Sequence, residues 1–208
     1  MRKCSADVNH IRLHGAVGEA PVYSHLNHGV EFYTFPLVVR RLSGAEDQVN
    51  VVAPLELLEC CGPLERESEL TVLGEVRTFN NRTGVGSRLV ISAFARELRQ
   101  EPGEDENRLE LSGTLCKTPS LRATPLGRTI CDMILAVNRR YGRADYLPCI
   151  AWGAIAQQTA RLPVGSRLTV EGRVQSRGYT KTVDGVGQER TAYEVSIMRP
   201  AEPEEFLL

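Results

Sequence analysis

Along residues 166–177, "SRLTVEGRVQSR", apolar and polar side chains alternate, with Leu168, Val170, Gly172 and Val174 on one face and charged or polar residues on the other. A period of two marks a half-buried strand. The segments "RLELSGTLC" from Arg108 and "TICDMILAV" from Thr129 are apolar-rich and partly alternating, and "YLPCIAW" from Tyr146 follows a short Gly-bearing connection. "GAIAQQTARL" from Gly153 has the Ala and Gln content of a short helix, closed by Pro163 and Gly165. "VDGVGQ" from Val183 supplies hairpin-turn residues ahead of "TAYEVSIM". The predicted order is three strands, a helix and two strands.

The same pattern is written twice. A shift of 98 positions aligns Leu13 with Leu111, Gly15 with Gly113, Pro21 with Pro119 and Gly29 with Gly127 without a gap, and later Leu70 with Leu168, Val72 with Val170, Gly74 with Gly172 and Val76 with Val174. A register held over more than sixty residues is the signature of a duplicated domain. The second copy carries a few extra residues only after about Arg177. Between the copies, "RQEPGEDEN" has a Pro, a Gly, four acids and no apolar residue, which suits a solvated linker. The expected domains are 1–100, a linker at 101–107, a second domain at 108–199 and a short acidic tail at 200–208.

Five short strands with a helix between the third and fourth is the order of the OB fold, a partly open Greek-key barrel. The expected class is therefore all-β with short helices, as tandem OB folds. Fold order does not by itself fix function.

Composition narrows the classes. A hydrophobic share of 42% with 25% charged residues is that of a globular chain, and no apolar run approaches the roughly 18 residues that span a bilayer. Without an apolar segment behind its first basic residues the start does not read as a secretory signal, so the expected location is cytoplasmic and nucleoid-associated, away from membranes. The six cysteines have no zinc-ligand spacing and read as buried or incidental thiols, and the four histidines, His10, His14, His25 and His28, read as surface or loop residues. The carboxylates Glu56, Glu59, Glu65, Glu67 and Glu69 read as a solvated helix face and connection. Neither a metal site, a cofactor motif nor an acid–base pair emerges, and no catalysis is expected.

The net charge of −1 conceals an asymmetry, because residues 1–100 carry −1 whereas residues 108–199 hold 14 basic against 7 acidic side chains. Lys and Arg at that density neutralise phosphates without reading sequence. The candidates are Arg139, Arg140, Arg143, Arg173, Arg177 and Lys181.

The motifs "GTLCKTPSLRATPLGRTICDMILAVNRR", "ADYLPCIAWG", "PVGSRLTVEGRVQSRGYT" and "DGVGQERTAYEV", in this order, resemble the bacterial single-stranded DNA-binding protein family, in its form with two OB domains per chain. The first copy shares the resemblance mainly through the repeat. The resemblance implies base stacking on Tyr141, Tyr146, Trp152 and Tyr179, whose counterparts in the first copy are Ser43, Gln48, Pro54 and Asn81. A flat aromatic ring stacks any base, at about 1–3 kcal/mol per base. The implied function is protection of single-stranded DNA in replication, recombination or repair, chiefly through the second domain. A homodimer presenting four OB folds is implied as well. Glu202, Glu204 and Glu205 before Phe206 read as an ordinary frayed terminus, with a faint resemblance to a tip that recruits replication or repair proteins as the alternative. Two rival readings stand beside this one, a primosomal or replication-restart accessory OB protein and a protein-interaction module.

Overall fold

The computed structural model describes residues 7–80, 89–139, 142–183 and 186–200. The first repeat forms β1 (Asn9–Val17), β2 (Val22–Asn27), β3 (Val30–Arg40), β4 (Glu46–Pro54), α1 (Leu55–Cys61), β5 (Glu69–Asn80) and β6 (Leu89–Gln100). The second forms β7 (Glu106–Leu115), β8 (Ser120–Ala123), β9 (Thr129–Asn138), β10 (Ala144–Trp152), α2 (Gly153–Thr159), β11 (Arg167–Val183) and β12 (Val186–Pro200).

Each repeat closes a five-stranded barrel. In the first, β1 pairs with β3 and β5, β3 with β4, β4 in parallel with β6, and β6 with β5. The second repeats this circuit as β7, β9, β10, β12, β11 and back to β7, again with one parallel pairing, between β10 and β12. These are the expected OB barrels, with the helix between the third and fourth barrel strands.

The burial pattern shows why the two halves of the sequence fold alike. Residues 9–17 and 107–115 share one string of buried and open positions, and β4 and β10 differ only at their first residue. Leu13, Leu70 and Val72 are fully buried in one core, as are their counterparts Leu111, Leu168 and Val170 in the other. Glycine is required at 74 and 172, where a Cβ would collide with the carbonyl oxygens of Phe94 and Ser196 as the sheet curls shut.

A matched pair of buried carboxylates fixes the corner before the third barrel strand. Asp47 and Asp145 expose 1% and 0% of their side chains, and each is gripped by both ends of a guanidinium six residues earlier, Arg41 and Arg139 respectively. The Asp47 bond holds the Arg41 guanidinium above its ordinary pKa. Two groups of this kind survive burial because each compensates the other.

The structure differs from the sequence reading in two places. The short strands β2 and β8, which flank β3 and β9, were not expected, because every one of their residues is exposed and no alternation marks them. His14 is not a surface histidine: it is 4% exposed, its Nδ1 lies 2.8 Å from Thr71 Oγ1, and the second repeat makes the same link between Ser112 and Thr169 at 2.9 Å. Phe32 and Phe35 are buried, whereas Phe79 is 48% exposed because its β5 position faces outward. Residues 102–105 of the linker are exposed, but Asp105 accepts a hydrogen bond from the Arg40 backbone at 2.9 Å.

Packing divides the chain into two compact units. One lies within Met1–Asn9, Leu109–Arg173 and Glu194–Leu208, and the other within His10–Arg108 and Val174–Tyr193, so the outer part of the β11–β12 hairpin belongs to the unit holding the first barrel. Within that unit Ser176 donates its backbone N–H to Asp47 at 3.1 Å, and its hydroxyl accepts from the Gln48 backbone at 3.0 Å. Among the described residues no helix is long and apolar enough to cross a membrane, and no cluster of His, Cys, Asp and Glu has the arrangement of a metal site.

Candidate nucleic-acid interface

Strand β10 sets the geometry. Asp145, Leu147, Cys149 and Ala151 are all buried, which leaves Tyr146, Pro148, Ile150 and Trp152 on the outer face of the sheet. Tyr146 is 55% exposed and lies across from Ala136 of β9. Trp152 is half-buried at the far end of the strand, and its indole N–H donates to Ser196 Oγ at 3.3 Å. Six residues of strand separate the two rings, or roughly 20 Å. Ala136 and Pro148, small or flat, leave the Tyr146 ring uncovered, while Ser196 holds the indole by its edge.

The remaining predicted residues divide by location. Arg139, Arg143 and Arg173 lie in the same compact unit as Tyr146 and Trp152. Arg143 is exposed, and its carbonyl accepts the Arg139 backbone N–H at 2.6 Å. Arg139 is committed to Asp145, a bond its counterpart Arg41 reproduces in the first repeat, so its guanidinium serves the barrel corner. Arg173 is half-buried on the outward row of β11. Arg177 and Tyr179 are exposed on the outer part of β11, Tyr179 by 37%, and fall in the other unit. Lys181 is in β11, but its side chain lies outside the described residues, as do Arg140 and Tyr141.

One basic residue on this face escaped the sequence reading. Arg122 on β8 sits opposite Ile130 and grips Asp132 through Nη2 at 3.2 Å and through Nε, which raises its pKa above the ordinary value. Without a hydrophobic pattern on β8, only the pairing of that strand reveals where Arg122 stands. Burial pushes the thiols of Cys149 and Cys131 up.

Residues 106–200 match the model of the Single-strand binding protein family. The second repeat belongs to that family. Its relatives include Single-stranded DNA-binding protein 2 of Listeria innocua, 40% identical over 80 residues that take in 35% of this chain and 50% of that one. Single-stranded DNA-binding protein A of Bacillus subtilis is likewise 40% identical over 80 residues, covering 35% of this chain and 46% of its own. This chain thus spans about half the length of the curated relatives it matches. The family domain and the first repeat together resemble the wild-type single-stranded DNA binding protein from Thermus aquaticus, with a TM-score of 0.75 at 22% identity over 96% of this chain and 94% of that one. At that identity the likeness establishes the tandem-barrel fold and no more.

Proposed function

We propose that the protein binds single-stranded DNA with little sequence preference, chiefly through the second barrel, and serves replication, recombination or repair without catalysis or cofactor. The observation that carries the reading is the outward pair of Tyr146 and Trp152 on β10, in a domain whose family relatives are named for binding single strands. Bases stack on the exposed Tyr146 ring and on the indole pinned by Ser196, while Arg143 and Arg173 neutralise phosphates; Arg177, Tyr179 and Lys181 of β11 are assigned to the strand as well. Pinning the indole before the strand arrives removes part of the ordering cost of binding. Two chains presenting four barrels make the assembly in the cytoplasm.

Trp152 is the sole tryptophan, so its fluorescence reads this site directly. Titration with oligo(dT) is expected to quench it, and raising the salt is expected to reverse the quench. Absence of both quenching and binding in an independent assay would overturn the proposal.

A further inference from the structure

The first barrel lacks aromatics at the Tyr146 and Trp152 positions, yet its outer face is not bare. A bulge in β2 between Tyr23 and His25 sets His25 directly across from Phe32 of β3, and the two rings stack at 5.0 Å with an interplanar angle of 11°. Phe32 in turn meets Phe94 of β6 at 5.5 Å, and the Arg96 guanidinium lies 5.1 Å over the Phe94 ring. Phe32 is 8% exposed and Phe94 half-buried, whereas His25 and Arg96 are exposed. The result is two flat exposed groups, an imidazole and a guanidinium, each seated on a ring of the sheet.

Register shows that this array is particular to the first barrel. Val52 pairs with Phe94 as Ile150, its counterpart, pairs with Ser196, so Phe94 and Arg96 correspond to Ser196 and Met198. The position opposite Phe32 is held by His25, and the position opposite its counterpart Ile130 by Arg122. Where the second barrel has Arg122, Ile130, Ser196 and Met198, the first has His25, Phe32, Phe94 and Arg96. The aromatic positions of the two barrels are mutually exclusive. Phe79, 48% exposed on β5, adds a third flat surface on the same outer row as Glu75 and Arg77.

The charges agree. Glu75 binds Arg77 and holds both Nε and Nη2 of Arg96, at 3.2 and 3.1 Å, which fixes two guanidiniums against one carboxylate, a local excess of one positive charge. A guanidinium held flat over an aromatic ring is a platform for a nucleobase, and its charge suits the phosphate that accompanies each base.

The geometry points to a second single-strand contact on the first barrel, in which bases stack on His25 and Arg96, backed by Phe32 and Phe94, with Phe79 as a further platform. The inference rests on the proposed binding of single-stranded DNA and adds a site with its own residues. It gives the first barrel a direct share in the strand, beside the second barrel's chief part.

Photocrosslinking separates this inference from the reading it rests on. The full chain is irradiated with oligo(dT) carrying 5-iododeoxyuridine, and adducts are mapped by peptide mass spectrometry. Adducts on peptides containing His25, Phe79 or Phe94 as well as Tyr146 or Trp152 are expected. Adducts confined to residues 108–199 overturn the inference and leave the proposed function standing. No adduct and no binding overturn both. The double variant His25→Ala/Arg96→Ala, altered only at exposed side chains, is expected to cover a shorter length of oligo(dT) per chain, by about the 4–16 nucleotides that one OB fold occupies, while Trp152 quenching persists. An unchanged covered length in that variant would also overturn it.

Discussion

Gln48 and Tyr146 occupy the same place in two barrels of the same build, and so do Pro54 and Trp152. One position inward, the residues beneath them agree: Asp47 with Asp145, both buried, and Val49 with Leu147, both fully buried. The barrels diverge where side chains leave the sheet and agree where they enter it. Inward positions are held by packing density, which penalises any change of volume. Outward positions answer only to what they touch, and the duplicated chain has used them to carry two different arrays on one frame.

The shared frame predicts the largest effect. Asp145→Ala strands Arg139 and Asp47→Ala strands Arg41, and each is expected to destabilise its barrel by about 3 kcal/mol, the low end for breaking a buried pair because the arginines are about a quarter exposed. Urea unfolding of the two variants measures it. Similar losses sharpen the claim of one frame used twice, whereas a loss at Asp145 with none at Asp47 would break it.

The diverged face predicts the next. Trp152→Ala is expected to weaken oligo(dT) binding by about 1–3 kcal/mol, or about 5- to 150-fold, and Pro54→Ala to leave it within about twofold. Fluorescence anisotropy with a labelled oligonucleotide gives both numbers. Comparable losses would mean that positions 54 and 152 share a job and that the contrast between the barrels is false.

How much of this was legible in the chain depends on whether a residue's role is marked by period or by partner. The fold was, because Leu168, Val170, Gly172 and Val174 alternate and a shift of 98 repeats the pattern. The outward placement of Tyr146 follows from the same alternation. The task of Arg139 did not, since nothing in "NRRYGRAD" says that its guanidinium closes on Asp145 instead of facing a phosphate. Nor did β2 and β8, whose exposed residues carry no hydrophobic signal, and with them went Arg122 and the His25 stack. A bulge that sets a histidine over a phenylalanine is a fact of register, visible only once the strands are paired.

The smallest expected effect tests the inward side of the comparison by pH. Cys149 is 3% exposed, and burial raises its pKa because the thiolate cannot be solvated there. Below the unfolded value of about 8.5 the thiol is protonated in both states and its contribution to stability is constant. Above it only the unfolded chain ionises, so stability falls as pH rises, by at most about 1.4 kcal/mol at one unit beyond that value. The first barrel has Val51 at the matching position, fully buried and without a titrating group. Cys149→Val therefore installs the first barrel's solution in the second, and the gap in urea midpoint between pH 7.5 and pH 9.5 is expected to narrow in that variant. An unchanged gap would mean that Cys149 is solvated well before the barrel unfolds, and the equivalence of the two inward faces would fail at that position.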